Sequence, residues 1–454
     1  MNNQPTEQYR HADDAGAVNR RRALWGSSLG TTLEWYDFFL YGSMAVIVFP
    51  HLFFSQQSGY VATLLSVSTF GAAFVVRPIG AALFGALGDR RGRREVLVTT
   101  MVLMGVSTAL IGLLPTDQKV GLWAPFLLVL LRLLQGLSTG GEWGGATLMA
   151  VENAKHTATR AESRRGFYGS LVMAASPAGL VLSNAAILIL TRIDKAAFME
   201  WGWRIPFLAG GVIAVLGLVI RLGVTETEEF TKLADRGEVS SSPVRTVLRR
   251  FPLRMLRIAC IYMGPGAAFY AVIIFGQKYA VQNGGLTAMQ MSAVVVLYGI
   301  TMFAGTVWSG HHVDRFGAAR MGFYGIVAMG VMTPIVMAVM SSGNFGLVVV
   351  VYLVMAVVQA IVNAPLAVVF TDMFAPDVRY TGVSLGYQLG TIFGGALPPI
   401  IALWLLERTG SVWSVVAYLV ALLVVSALCI VGLMNRSDES EVEPAGAVSN
   451  AMTS

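Results

Sequence analysis

The chain is 454 residues long, 55% hydrophobic and only 13% charged, with a mean hydropathy of +0.65. A soluble protein of this length covers itself with far more charge, so the composition excludes a water-soluble globule and puts the chain in a bilayer. The formal net charge of +6 invites a nucleic-acid reading, but the charges are placed as topology signals instead.

Residues 1–23 are polar and end in Arg20-Arg21-Arg22. The apolar run that follows is too long for a signal h-region, so no cleavable leader is expected. A membrane span needs about 20 mostly apolar residues. Such runs fall at roughly 24–50, 60–86, 95–114, 122–150, 167–191, 203–223, 255–280, 288–309, 321–340, 346–370, 381–405 and 412–434. The expected fold class is therefore all-α and integral to the membrane, with twelve transmembrane helices. The longest polar segment, Thr225 to Arg254, divides these runs six and six. The expected organisation is a tail (1–23), a six-helix half (24–224), a central loop (225–254), a second half (255–434) and an acidic tail (435–454) too polar to fold alone.

Among the 32 Lys and Arg residues, Lys119, Arg192, Lys195, Arg204, Lys278 and Arg408 fall in one set of loops, and Arg77, Arg132, Arg221 and Arg257 fall inside spans. All the others lie in the two tails, the central loop and the loops after spans 2, 4, 8 and 10. This asymmetry orients both termini to the cytoplasm. Cys260 and Cys429 sit in apolar runs and suggest neither a disulfide framework nor a metal site.

The loop after span 2 reads Gly85-x3-Asp89-Arg90-x-Gly92, and the loop after span 8 reads Gly310-x3-Asp314-Arg315-x-Gly317. The same pattern at the same place in each half marks a parallel internal repeat of the kind that builds one large transporter class. Glycine allows a tight turn at the membrane surface. Each Asp can hold arginines or the N-terminal end of a helix from the other half, which makes Gly85, Asp89, Arg90, Gly92, Asp314 and Arg315 gating candidates. For Arg91, Arg93 and Arg94 a purely topogenic role is equally open.

Charges at bilayer depth are expensive and face a partner or a cavity. Span 1 carries Glu34 and Asp37, and span 4 carries Arg132 and Glu142. At 1.5 Å per residue Asp37 and Arg132 reach about the same depth, near the middle of a core about 30 Å thick. Arg132, Gln135, Thr139 and Glu142 fall within an arc of about 80° on span 4, beside a stripe of Gly136, Gly140 and Gly144 suited to close helix packing. Two readings compete for Asp37 and Arg132: a static ion pair, or a protonation switch in which burial and the Arg act in opposite directions. The second leads, with Asp37 the first carrier and Glu34 the second; at i,i+3 the two share a face and would tend to hold one proton between them. Arg77 and Glu142, toward the cytoplasmic ends of spans 2 and 4, form a second candidate pair, either an inner gate link or an Arg snorkelling to the interface.

The first loop resembles the signature loop of the major facilitator superfamily. Further segments resemble its metabolite:proton symporter family, which includes shikimate, citrate, 2-oxoglutarate and proline/betaine carriers. They are LEWYDFFLYG (33–42), FVVRPIGAALFGALGDRRGRR (74–94), LRLLQGLSTGGEWGGA (131–146), WGWRIPF (201–207) and DVRYTGVSLGYQ (377–388). The resemblance runs from about residue 20 to 434, and GGEWGGA is most like the shikimate branch. The second loop departs from the family pattern, with Ala318-Ala319 where a basic pair is expected.

The resemblance implies a central cavity lined by spans 1, 4, 7 and 10. Tyr270, Gln359, Asn363, Tyr387 and Gln388 would form a neutral hydrogen-bonding wall opposite Arg132 and Gln135. One cationic and one neutral wall suit a small organic anion, and carrying that anion inward with protons removes the opposition of an inside-negative potential. The expected function is proton symport of a mono-, di- or tricarboxylate or a shikimate-like acid. The expected partners are that small molecule, protons and the lipid bilayer, with no nucleic acid, no obligate protein partner and no cofactor. A zwitterionic osmolyte symporter and a proton antiporter exporting an acid use the same parts. A membrane sensor would need a signalling domain for which the central loop has no room. No nucleophile–base or metal-spacing constellation points to an enzyme.

Overall fold

In hydrocarbon every backbone N–H and C=O must be satisfied within the chain, so long apolar runs become helices. The computed structural model describes residues 28–154, 164–223, 225–226, 228–237 and 240–440, and no strand occurs among them. The tail 1–23 and the end of the acidic tail, from residue 441, lie outside the described residues.

Numbering only the long helices, α1 covers 28–47 and α2 Gly59–Arg91, followed by α3 Arg93–Leu113 and α4 Trp123–Ala154. Next come α5, Arg165–Leu190, with one turn interrupting it at Ala174, and α6, Arg204–Leu222. The second half holds α7 Pro252–Asn283, α8 Ala288–Phe316, α9 Ala318–Met340, α10 Phe345–Thr371, α11 Arg379–Thr409 and α12 Val412–Ser440. Eleven of these, α2 to α12, are long and apolar enough to cross a membrane. Helix α1 is set apart by Glu34, Asp37 and several other polar residues in its 20 described positions.

Two expected boundaries move. The central segment is not one loop, because it contains the helices Glu228–Asp235 and Pro243–Arg250 and ends where Pro252 opens α7. The acidic tail begins inside α12, which continues to Ser440.

Local chemistry sets the ends. Thr287 caps α8 by accepting from the Gln290 amide, while Gln290 Oε1 accepts from the Thr287 amide. Gly92 (φ 109°) and Gly317 (φ 83°) make the turns into α3 and α9 at equivalent places in the two halves, a backbone that only glycine adopts freely. The outer surface is apolar: on α2, Val75, Ile79 and Leu83 at four-residue spacing stay exposed for lipid. The inner faces of α2 and α4 cross closely, α2 packs against α11, and α5 against α8 and α10, which joins the halves around a shared interior.

Candidate functional site

Asp37 is fully buried between three helices. Its Oδ1 accepts from Thr108 of α3 and from Gln135 Nε2 of α4, both at 2.8 Å, and Arg132 Nη1 donates to Oδ2 at 3.2 Å. Gln135 also accepts from Arg132 Nη1 at 3.1 Å, closing the ring of contacts. The guanidinium lies 4.2 Å from the centre of the Tyr41 ring and 5.2 Å from that of Phe70, so its remaining nitrogens face π-density rather than water. The Tyr41 hydroxyl is tied to Thr69 at 2.6 Å. This cluster belongs wholly to the first half, with Phe38 between Arg132 and Tyr270 of the second.

Glu34, one turn earlier, does not share those contacts. It lines a small cavity with Gly30, Thr100, Ser138 and Glu142. The expected Arg77–Glu142 pair is absent: Glu142 is held in two-pronged fashion by Arg221 of α6 and accepts from Thr100 at 2.6 Å. Arg221 also donates to the Leu97 carbonyl at 2.7 Å. Arg77 instead stands over the Phe74 and Phe38 rings, 4.5 and 5.1 Å from their centres. The physical reason is reach: α6 presents a guanidinium directly beside Gly30, where α1 has no side chain in the way.

Between the halves lies a narrow cavity of about 30 Å³. Its walls are Trp35, Trp143, Tyr262, Phe269 and Tyr387, with the amides of Gln359 and Asn363 and the hydroxyl of Ser176. Trp143 and Tyr387 stack at 3.6 Å, and Tyr262 meets Tyr387 edge-on at 4.7 Å. The Gln359 Oε1 is buried without a hydrogen-bond partner, so a ligand donor is what would satisfy it. Of the residues expected here, Gln359, Asn363 and Tyr387 line the cavity. Tyr270 packs edge-on to Phe38 behind it, and Gln388 donates to the Thr139 carbonyl at 3.3 Å. Arg132 and Gln135 do not line it, because Asp37 holds them inside the first half. The expected cationic wall is therefore absent from this arrangement, and the lining is neutral.

At the signature-loop face each repeated Asp caps a helix of the opposite half. Asp89 accepts from the amides of Tyr380 (3.1 Å) and Thr381 (2.9 Å) and from the Thr381 hydroxyl (2.7 Å), in the first turn of α11. Asp314 accepts from the Gly166 amide at 2.9 Å, in the first turn of α5. Both bonds satisfy N-terminal amides that a helix cannot pair itself and place negative charge at the positive end of its dipole. Gly85 lets the backbone of Thr381 approach, since a Cβ would fall 2.9 Å from its Cα. Arg90 reaches the Ser241 carbonyl in the central segment, Gly92 makes its turn beside Glu226, and Arg315 lies exposed over Phe316.

Several residues here escape sequence reasoning. Glu152 of α4 binds Arg93 at 3.2 Å and Arg379 of α11 at 3.1 Å, all three buried, and Arg165 pairs with Asp372 at 2.5 Å. These join the halves at the same face. The signal available was position: Arg93 belongs to the signature loop and Arg379 to DVRYTGVSLGYQ. Arg221 was visible as one of four arginines inside spans, but its partner was not. The aromatic residues Trp35, Trp143 and Tyr262 carried no polar signal to separate them from core.

This architecture, two halves of long helices about a buried cavity, defines a membrane carrier. The chain belongs to the Major Facilitator Superfamily, whose profile matches residues 28–385 and 266–450. Its family and relatives are transporters, not enzymes, and the chain is a multi-pass protein of the bacterial inner-membrane type that moves a small-molecule metabolite. It is 36% identical to the shikimate transporter of Escherichia coli (strain K12), covering 90% of this chain and 93% of that protein. It is 29% identical to the proline/betaine transporter of the same organism, covering 90% and 82%. In fold it is similar to the proton:xylose symporter XylE bound to 6-bromo-6-deoxy-D-glucose, with a TM-score of 0.74 at 16% identity over 92% of this chain and 96% of the other.

Proposed function

We propose that the protein imports a small hydroxylated ring carboxylic acid, shikimate-like in chemistry, together with protons. Helix α1 is the first of twelve spans in this reading, both termini are cytoplasmic, and the signature-loop face is the cytoplasmic one. The two halves rock about the central cavity. Asp89, Asp314 and the Arg93–Glu152–Arg379 cluster act as the inner gate, which must come apart for the cavity to open inward.

The observation that carries the substrate class is the neutral aromatic and amide lining. Trp143 and Tyr387 offer flat faces to a ring, Gln359 and Asn363 offer donors and acceptors to hydroxyls, and a single carboxylate can be met by amide and hydroxyl donors. A di- or tricarboxylate would bring two or three charges to a lining without a cation, which costs too much. The similarity to a shikimate transporter supports the same class. Proton coupling falls to Asp37. Buried beside Arg132, it has one hydrogen-bonded ionised state and, on taking a proton, would release that Arg.

A zwitterionic quaternary ammonium compound is the second reading. It is favoured by the cluster of Trp35, Trp143, Tyr262, Phe269 and Tyr387, because aromatic faces bind such cations.

The test is uptake into liposomes that report internal pH, with shikimate, an aromatic acid, citrate, 2-oxoglutarate, betaine and proline added outside in turn. The expected result is acidification with shikimate and none with citrate. Acidification with betaine alone would replace the first reading by the second, and alkalinisation would make the protein an antiporter.

A further inference from the structure

Glu34 is 4% exposed, and its Oε2 has no hydrogen-bond partner. It faces a small cavity of about 10 Å³, room for one water molecule. Gly30, Thr100, Met104, Ser138 and Glu142 complete the walls. Gly30 is required there, since a Cβ would collide with Arg221 and come within 2.6 Å of Glu142 Oε1. On the far wall Glu142 is already satisfied by Arg221 and Thr100, so the free acceptor capacity of the cavity belongs to Glu34.

The charged groups that act on Glu34 come from every neighbouring helix: Arg77 of α2, Glu142 of α4, Arg221 of α6, and Asp37 on α1 itself. Trp35, the next residue on α1, lines the central cavity between the halves. Tyr262 and Tyr387 line the substrate cavity. Glu34 therefore lines the inner cavity beside Glu142, one residue along α1 from a wall of the central cavity.

We propose that Glu34 and the inner cavity form a second proton-binding site, separate from Asp37 and Arg132, so that two protons accompany each substrate molecule. This rests on the symport reading above and adds its stoichiometry and exit route. An O–H bond forms at Glu34 Oε2 with a proton delivered by water in the substrate cavity. It breaks to water in the inner cavity, beside Glu142, and nothing is oxidised or reduced. Glu142 and Arg221 are positioning residues: their mutual pairing keeps Glu142 from competing for the proton and Arg221 from fixing Glu34 as a carboxylate.

The experiment uses the full chain in liposomes with the membrane potential clamped at zero and an inward pH gradient of one unit. Each coupled proton then supports about tenfold accumulation of radiolabelled shikimate. The expected result is about hundredfold for the wild type and about tenfold for Glu34→Gln, with a melting temperature in detergent close to that of the wild type as proof that the variant folds. An accumulation ratio unchanged in Glu34→Gln overturns the proposal. A second measurement needs no variant and no substrate. The wild type is treated with dicyclohexylcarbodiimide, which attacks buried protonated carboxyls, and the modified residues are mapped by mass spectrometry. Modification of Glu34 in preference to Glu142 supports the site, even if shikimate proves not to be the substrate, and modification that spares Glu34 overturns it. Wild-type protein that exchanges shikimate but accumulates none against the pH gradient refutes symport itself, whatever Glu34 does.

Discussion

Trp143 and Tyr387 lie face to face, ring centres 3.6 Å apart and planes 8° from parallel, although one belongs to α4 of the first half and the other to α11 of the second. The stack is a contact between halves and a wall of the central cavity at once. In the proposed cycle the halves part at this stack, and the proposed ring-shaped substrate would replace one of its faces. An aromatic pair contributes about 0.5–1.5 kcal/mol beyond its burial. Trp143→Ala is therefore expected to raise the KM for uptake about tenfold, with Trp143→Phe recovering most of it. Initial uptake rates against substrate concentration measure this. An unchanged KM in Trp143→Ala would move the substrate out of this cavity.

The repeated aspartates are equivalent in motif but not in burial. Asp89 is 3% exposed and accepts three hydrogen bonds across the boundary, whereas Asp314 is exposed where it accepts from the Gly166 amide. Replacing a helix cap costs about 0.5–2 kcal/mol. Asp89→Asn is expected to loosen the closed face more than Asp314→Asn, and the difference should show in amide hydrogen exchange. Protection of the first turn of α11 should fall about tenfold in Asp89→Asn, while Asp314→Asn should act on the first turn of α5 and act less. Equal effects from the two variants would mean that burial does not grade the two caps.

Arg221 is the partner of Glu142, and both are buried. Removing one member of such a pair strands the other and costs about 3–5 kcal/mol, while replacing both costs far less. Arg221→Met should thus lower the melting temperature in detergent markedly, and Arg221→Met with Glu142→Gln should recover much of the loss. Arg77→Met, which leaves that pair intact, should not behave this way. If Arg77→Met and Arg221→Met proved interchangeable, Glu142 would have a different partner from the one observed.

These contrasts mark how far the sequence can be read. Span positions were legible because the bilayer demands long apolar runs, and the repeat was legible because two short loops carry the same turn chemistry. The Asp37–Arg132 proximity could be inferred from depth alone, since the charge asymmetry of the loops gives each helix an expected starting side of one slab. Depth says nothing about rotation, however. Glu34 and Asp37 sit one turn apart on α1, yet Asp37 reaches Thr108 and Gln135 and Glu34 an inner cavity, because each meets a different turn of α3 and α4. Arg132 was expected to face substrate, but four polar and aromatic neighbours from its own half claim it first. The cavity walls were hidden for a different reason: Trp35, Trp143 and Tyr262 read as core in any apolar helix, and only the meeting of two halves turns them into a lining.

The glycines of α4 give the sharpest test of how the halves are built. A Cβ at Gly140 would collide with the Arg77 carbonyl and fall 2.7 Å from the Ala81 amide nitrogen, and one at Gly136 would fall 2.5 Å from the Ala73 carbonyl oxygen. The obstacles are backbone atoms of α2, which cannot turn aside as a side chain would, so the two helices would have to separate. Separation would shift the strand of contacts that α2 carries, from Arg77 above the aromatic rings to Asp89 on the first turn of α11. Overpacking of this kind costs about 1–3 kcal/mol. Gly140→Ala is expected to lower both thermal stability and uptake rate, even though alanine is the better helix former by about 1 kcal/mol. Gly71→Ala on the same face-to-lipid stretch of α2 meets nothing within 4 Å and should leave stability unchanged or slightly higher. Melting curves of the two variants in one detergent decide the matter. A Gly140→Ala protein as stable as Gly71→Ala would mean that α2 and α4 do not cross as closely as their glycines allow.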